Sequence, residues 1–364
     1  MKWETVKLGE VIVPAKLRRA GNGDFPILSM TMHNGLVDQG DKFKKRIASA
    51  DISPYKVVER NQLVVGFPID EGVLAFQNLY PEAIVSPAYD IWELRNPEGV
   101  DPNYLQKLLR SPRSLAYYTA NLRSTTARRR TIPKEAFLDM PIPLPPLSEQ
   151  ERIASLLDAA DRLRAQRRDA LRRLDALTHS LFLDAFGDPA HNPKNWPVVK
   201  LTEISRPKQW PTIAANQLSG SGHPVFGANG LIGYHDIYNH AEPTVLITCR
   251  GATCGTINVC PPKTYVTGNA MALDNLAEDK IHRTFLEWFL KGKGLRNVIS
   301  GTAQPQITRE GLTNYTVALP PLSLQLEFAS RLEQIEGLRS RMERQGLELD
   351  GLFASLQSAA FAGP

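Results

Sequence analysis

The sequence holds few cysteines and no long apolar run. Cys249, Cys254 and Cys260 are the only three in 364 residues. They form no CxxC pair, no histidine stands at metal-ligand spacing, and their odd number suits a reducing compartment. They read as structural thiols, with no metal site. No stretch reaches the ~20 apolar residues of a membrane span, and the opening MKWETVKLGE lacks the apolar segment of a signal peptide. The expectation is a cytoplasmic protein with no membrane partner. Catalytic signatures are missing as well. There is no Asn/Asp-Pro-Pro-aromatic tetrapeptide, no glycine-rich cofactor loop after a strand, no Walker A sequence and no HExxH. The nearest approach to a nuclease carboxylate cluster, Asp90 to Arg95, reads as a plain strand. Catalytic residues are therefore expected to be none, and the sequence points to binding without chemistry.

What is present is a segment used twice. Leu144 to Pro189 returns as Leu319 to Pro364, each residue 175 positions on, without a gap. Pro145, Pro146, Leu147 and Ser148 become Pro320, Pro321, Leu322 and Ser323; Gln150 becomes Gln325; Phe186 becomes Phe361. Each copy reads as one long helix. Pro146 sets the entry, with Ser148 as N-cap and Glu151 completing a capping box. Residues then recur in steps of three and four: Ile153, Leu156, Ala160, Leu163, Arg167, Ala170, Leu174, Leu177 and Leu181. The second copy offers Phe328, Arg331, Ile335, Leu338, Met342, Gln345, Leu349, Leu352 and Leu356. This is a heptad pattern, and it predicts an antiparallel coiled coil whose polar interruptions set the register. A helix of ~35 residues would be roughly 50 Å long at 1.5 Å per residue. Two separate helices, each covering a neighbouring domain, are the alternative.

The repeat divides the chain into a first lobe (1–143), a first helix (144–189), a second lobe (190–318) and a second helix (319–364). Net charge is +5, and its distribution says more than its size. The lobe segments 1–144 and 190–319 carry +4 each, whereas the helical segments carry −1 and −2. Two basic lobes on a neutral-to-acidic spacer suit a polyanion gripped at two points.

The lobes repeat more loosely. Trp3 to Val11 matches Trp196 to Ile204 at an offset of 193, and Tyr104 to Arg110 resembles Phe285 to Lys291 at 181. Ile132, Glu135 and Phe137 align with Ile307, Glu310 and Leu312 at 175. Short apolar runs between Gly, Asn and Pro turns predict strands at 26–29, 62–67, 72–77 and 83–94, then a helix near 102–120. In the second lobe strands are expected at 223–226, 244–250, 255–260 and 265–274, with a helix near 283–298. The fold class expected is α+β: two mixed, mostly β lobes joined by two long helices. One frame carrying different loops is what a scaffold adapted to two ligands looks like.

Candidate contacts lie on those loops. In the first lobe Lys42, Lys44, Lys45 and Arg46 flank an aromatic, and Arg123, Arg128, Arg129 and Arg130 follow the late helix. Such side chains grip phosphates, and arginine also reads guanine edges. In the second lobe the corresponding loop offers Thr302, Gln304, Gln306 and Arg309, and glutamine pairs with adenine edges. Asn229 on a glycine-rich turn, Arg250 at a strand end, and Lys208 with Gln209 complete the set.

At this level of detail the chain resembles, over essentially its full length, the specificity subunit of type I restriction–modification systems. The elements that carry the resemblance are the twice-used PPLS…Q helix, the Phe186 to Pro189 ending and the Trp196 to Ile204 restart. The second lobe adds Val225 to Tyr234, Arg250 to Gly255 and Gly301 to Gln304. The resemblance implies two target-recognition domains, each reading half of a split double-stranded DNA sequence, with the helix pair fixing the unread gap. It implies two methyltransferase subunits docked on the helices, bringing S-adenosylmethionine and the catalytic residues. Translocating restriction subunits are a further partner of such complexes. This sequence departs from its own repeat at Leu326, where Glu151 maps, and in ending Phe361-Ala362-Gly363-Pro364 rather than Phe-Gly-Asp-Pro. Three other readings stay open: a lone DNA-cutting enzyme, a coiled-coil adaptor between proteins, and the specificity subunit of a related phage-defence system.

Overall fold

The computed structural model describes residues 3–32, 34–42, 51–123, 130–228, 230–301 and 304–362, with only the backbone at 41, 42 and 362. The chain forms two compact units, Met1–Arg167 with Arg344–Pro364, and Arg168–Glu343. The unit boundaries fall inside the long helices, so each unit comprises one lobe and a portion of both helices.

In the first unit a four-stranded antiparallel sheet runs in the order Ile12–Pro14, Asp90–Leu94, Leu63–Val65, Leu74–Phe76. A hairpin (Leu28–Thr31 with Gly35–Asp38) and a pair (Lys56–Glu59 with Glu82–Val85) flank it. The expected strand 83–94 is two strands, and the expected helix 102–120 is two helices, Pro102–Leu109 and Pro112–Ala120. Arg110 ends the first helix and Ser111 caps the second by accepting from Ser114 N–H, while Pro112 cannot donate to the turn before it. Trp92, Tyr104, Tyr118 and Phe137 are all buried at the centre.

The second unit repeats the frame. Its four-stranded sheet orders Arg206–Gln209, Ala270–Asp274, Thr244–Thr248, Ile257–Cys260 in the same way. A second sheet holds the hairpin His223–Gly227 with Gly230–His235, joined in parallel by Tyr265–Val266. The helix expected at 283–298 ends at Lys293, where Gly294 adopts φ 69°, and a single 3-10 turn follows. Equivalence extends to single bonds. The first strand of each lobe pairs with the strand that leads into its long helix, Thr5 opposite Pro143 and Val198 opposite Ala318. Leu8 N–H donates to Met140 O at 2.9 Å, and Leu201 N–H donates to Tyr315 O at 2.8 Å.

The long helices are Leu147–Phe186 and Leu322–Ala362. The expected cap is corrected. Each helix starts two residues earlier, with the Pro146 and Pro321 carbonyls accepting from the N–H groups of Glu149 and Gln150, and of Leu324 and Gln325. Ser148 therefore lies in the first turn. Proline suits the cap because its fixed φ is already helix-compatible.

Within each unit the helices run antiparallel. In the first, Arg164 Nε meets Asp350 at 2.5 Å and Arg167 Nη1 donates to Gln345 at 2.6 Å. In the second, Arg339 pairs with Asp175 at 2.9 Å, and Phe328 packs on Phe182 and Phe186. Of the expected interruptions of the seams, Arg167 and Ala170 in one and Arg331 and Gln345 in the other, Arg167 and Gln345 thus meet each other, whereas Arg331 pairs with Glu327 of its own helix. The expected seam is half a heptad step out. Ile153, Ala160, Leu174, Leu181, Phe328, Ile335, Met342 and Leu349 are buried or half-buried. Leu156, Leu163 and Leu177 are instead 46–53% exposed, and Leu338, Leu352 and Leu356 are also exposed. Leu157, Arg164, Thr178 and Phe353, which follow Leu156, Leu163, Leu177 and Leu352, face inward in their place, as Leu332 does after the exposed Arg331. The physical reason is visible at Arg164, whose guanidinium lies 4.5 Å from the Phe353 ring centroid. An arginine stem fills a seam position that a search for apolar residues assigns to the adjacent leucine.

Candidate nucleic-acid interface

Five separated stretches of the second lobe converge where the strand Thr244–Thr248 ends. Beyond it, Cys249 O accepts from Ile307 N–H at 3.0 Å and Gly251 N–H donates to Pro305 O at 3.2 Å. Arg250 is therefore bridged directly to Gln306. The loop leading to Gln306 is closed by reciprocal bonds between Ser300 and Gln306, at 2.9 and 2.8 Å. Its turn requires Gly301 at φ 81°, where any Cβ would sit 2.7 Å from the Gln304 carbonyl oxygen. From the other side, Gln209 Nε2 donates to Gly268 O at 2.9 Å and to Cys249 Sγ at 3.0 Å. Finally, the Thr248 hydroxyl donates to Ala228 O, which pins the hairpin tip that precedes Asn229.

Of the residues expected to touch DNA, the structure thus assembles Gln209, Arg250, Gln304 and Gln306 on one edge. Arg250, Gln304, Gln306 and Arg309 are exposed. Among the described residues none of their side chains makes a hydrogen bond or ion pair. Gln209 is partly committed to the scaffold, and Lys208 lies 3.4 Å from the centroid of Trp210. Asn229 and Thr302 lie outside the described residues. Cys249 and Cys260 are buried and Cys254 half-buried, all unbridged. Burial pushes all three thiols up from their ordinary value, so they stay protonated.

The first lobe closes its loop the same way. Arg123 N–H donates to Thr131 O at 2.8 Å, as Ser300 N–H does to Gln306 O. Arg128 and Arg129 lie between, outside the described residues, as do Lys44, Lys45 and Arg46. Of Lys42 only the backbone is described, at the end of the short helix Gln39–Lys42. Arg123 is exposed. Arg130 has an intramolecular role: its Nε contacts both Asp70 oxygens at 2.8 and 2.9 Å, and its Nη2 contacts Glu71. Ile69 N–H donates to its carbonyl. Arg130 fastens the base of the loop to the sheet, where the second lobe has Pro305.

The residue whose role sequence reasoning missed is the repeated glutamine. Gln150 is fully buried; its Oε1 accepts from Asp101 N–H at 3.0 Å, and its Nε2 donates to Gly99 O and Pro145 O at 3.1 and 2.8 Å. Gln325 accepts from His282 N–H at 2.8 Å and donates to Lys280 O and Pro320 O at 3.1 and 2.8 Å. Asp101 and His282 are the N-caps of the equivalent late helices. Each glutamine thus locks a lobe to the start of a long helix. Its identity in both copies was the available signal, but a lone amide gives no clue to three backbone partners.

A sequence model described as the type I restriction modification DNA specificity domain matches residues 79–173 and 193–348. The chain belongs to this family. It is a type I specificity subunit, a DNA sequence-recognition component. The first matched segment takes in the late elements of the first lobe and part of its long helix, and the second takes in nearly all of the second lobe and part of the second long helix. A curated relative from Methanocaldococcus jannaschii, described as a type I restriction enzyme specificity subunit, is 24% identical over 337 residues, which is 83% of this chain and 78% of the relative. A solved chain from work on complex assembly and conformational transition of the type I system has a TM-score of 0.62 at 20% identity. That likeness covers 99% of this specificity subunit and 97% of the other chain. The S subunit of M. genitalium also gives a TM-score of 0.62, at 15% identity, over 99% and 96% of the two chains. These structures share the fold. No described helix of this specificity subunit is long and apolar enough to cross a membrane.

Proposed function

We propose that each lobe reads one half of a bipartite DNA target and that the two long helices fix the unread gap and carry the methyltransferase subunits. The observation that carries this reading is the equivalence of the two units down to single hydrogen bonds, combined with different side chains on the equivalent loops. One scaffold presents arginines in the first lobe and glutamines with Arg250 in the second. Arginine suits guanine and phosphate, and glutamine suits adenine, so the two lobes favour different bases.

The gap-free repeat of 144–189 at an offset of 175 supports the spacing role, because one inserted turn would change both the distance and the phase of two half-sites. The antiparallel contacts within each unit fit two helices of equal length packed on each other. For partner docking, the exposed Leu163, Leu177, Leu338 and Leu352 are apolar side chains that the helix seam leaves uncovered. In the first unit an apolar groove of about 280 Å³ lies between Trp3, Leu156 and Leu356. Two methyltransferase subunits, one per half of the repeat, match this duplication. They would bring S-adenosylmethionine and the chemistry, since this chain is read as non-catalytic; translocating restriction subunits join through the same assembly.

The test is co-expression with the methyltransferase encoded beside this chain and mapping of every methylated adenine. A split motif with a fixed gap, present only with this chain, is the expected result. Methylation unchanged by removing the chain would overturn the reading.

A further inference from the structure

In both lobes the second strand of a hairpin begins at the glycine of an Asn-Gly pair, and the two hairpins treat the residues that follow in opposite ways. In the first lobe Asn34-Gly35 leads into Leu36 and Val37. The strands pair without interruption, Leu28 opposite Asp38 through Thr31 opposite Gly35. Leu36 is 7% exposed and belongs to a core cluster. In the second lobe Asn229-Gly230 leads into Leu231 and Ile232. Here Phe226 faces Leu231 but Val225 faces Gly233, so Ile232 is an extra residue in the strand. Such a bulge re-aims side chains and reverses which of them face the core. Leu231 and Ile232 are consequently 51% and 47% exposed, where the equivalent leucine is buried.

The placement of this pair is fixed by its neighbours. Ile232 packs over Gly227, whose missing Cβ would come within 3.2 Å of Ile232 Cγ2 and 3.8 Å of the Thr267 hydroxyl. Thr267 precedes Gly268, the carbonyl that receives Gln209. The tip itself is held by the Thr248 hydroxyl on Ala228 O. A chain of contacts through Gly227, Thr267 and Gly268 thereby links Ile232 to Gln209, which in turn touches Cys249, the residue before Arg250.

We propose that Leu231 and Ile232 are specificity-determining residues of the second half-site, contacting the 5-methyl group of a thymine in the major groove. This rests on the DNA-reading function proposed above. Double-stranded DNA is the occupant favoured by the surroundings. Two aliphatic side chains fall far short of the ~800 Å² that each partner of a stable protein interface buries. The chain of contacts from Ile232 leads to Gln209 and Cys249, and Arg250 follows Cys249 in a bridge to Gln306; arginine and glutamine are side-chain types that read base edges and phosphates. Thymine is the base that presents a methyl group to the major groove, and apolar side chains are its natural partners there.

The experiment uses the complex of this chain with its co-expressed methyltransferase. Duplexes carrying the methylated motif are prepared with each thymine of the second half-site replaced in turn by uracil, which removes only the methyl group. Wild-type complex is expected to lose about fourfold in affinity at one position, the factor to which ~0.8 kcal/mol per buried methyl group converts. The double variant Leu231→Ser, Ile232→Ser should bind the thymine and uracil duplexes equally and relax the base preference at that position. Reading of the first half-site should not change, and an unchanged calorimetric transition of the second unit reports that the variant lobe is folded. Uracil insensitivity at every position, a half-site without thymine, or an undiminished uracil effect in the variant would each overturn the proposal. So would loss of the methyltransferase from the purified variant complex, which would make the pair a protein contact. A wild-type complex that yields no split motif removes the proposed function as well; a split motif with an insensitive second half removes only this inference.

Discussion

Replacing Gln150 by Leu keeps the side-chain volume and removes all three hydrogen bonds that tie the first lobe to its helix. Asp101 N–H, Gly99 O and Pro145 O would then lack partners around a site that is fully buried. Each buried polar group left unmatched costs about 1–3 kcal/mol. Relaxation and water entry reduce the sum, so about 3 kcal/mol is expected. For a unit of this size each kcal/mol shifts Tm by roughly 2–4 °C, giving about 6–12 °C. Differential scanning calorimetry of the full chain is the assay, since the two units should give separable contributions. Gln150→Leu should lower the transition of the first unit, and Gln325→Leu that of the second by a similar amount. The bonds of Gln325 match those of Gln150 in kind and within 0.2 Å in length. A loss below about 0.5 kcal/mol in either variant would refute the reasoning, because it would mean the three groups find other partners at no cost. A large loss in one variant alone would refute the claimed equivalence.

Four further outcomes are expected. Inserting four residues after Ala170 adds roughly one turn, ~6 Å, to the first long helix; methylation mapping should show a longer gap with both half-sites unchanged, and an unchanged gap would sink the spacing role. Replacing Arg128 and Arg129 by Ala should weaken binding on all sequences and reduce the salt slope by about one for each phosphate no longer neutralised, which titrations at several salt concentrations would check. Replacing Arg250 by Ala should cost about 1–3 kcal/mol on the wild-type target and broaden the base preference of the second half-site only, as read from the methylated motif. Arg130→Ala is the contrasting control: its bonds to Asp70 and Glu71 predict lost stability of the first unit, measured as a lower Tm, rather than a reduced salt slope.

The sequence exposed the fold at the level of repeats, because duplication is independent of any propensity. The 175-residue offset alone identified Phe186 with Phe361, and the two pack alike: Phe186 on Phe285 at 4.7 Å, Phe361 on Tyr104 at 5.7 Å. What it left hidden depends on tertiary context. Leu156 and Leu157 are adjacent and equally apolar, so periodicity cannot say which faces the other helix; the arginine stacked on Phe353 decides it. Ser148 looks like a cap until the Pro146 carbonyl is seen to accept the first helical bonds. The loop cluster was legible as a set of DNA-type side chains. That Arg130 is bound to carboxylates 60 residues earlier, while Arg250 is left exposed, depends on contacts between distant strands. The bulge at Ile232 has no signature beyond the pattern Asn-Gly-Leu-Ile, which in the first lobe, as Asn-Gly-Leu-Val, folds inward.

The first compact unit takes residues from both Met1–Arg167 and Arg344–Pro364, and this sets the order of events during synthesis. Phe361 belongs to the same core as Trp92 and Tyr104, and its carbonyl receives the Arg113 guanidinium at 2.9 Å. The nascent first lobe therefore lacks part of its core until almost two hundred further residues have been translated. At 5–20 residues per second this is an interval of roughly 10–40 s. During it, the apolar positions that Phe361 will cover, Tyr104 and its neighbours, are open to chaperones and proteases. The second unit draws on Arg168–Glu343 and is continuous, so it can close first. A ribosome that stalls within the second helix would release a chain whose later lobe is complete and whose earlier lobe is not. Such fragments expose the incomplete core of the first unit, around Tyr104, to chaperones and proteases.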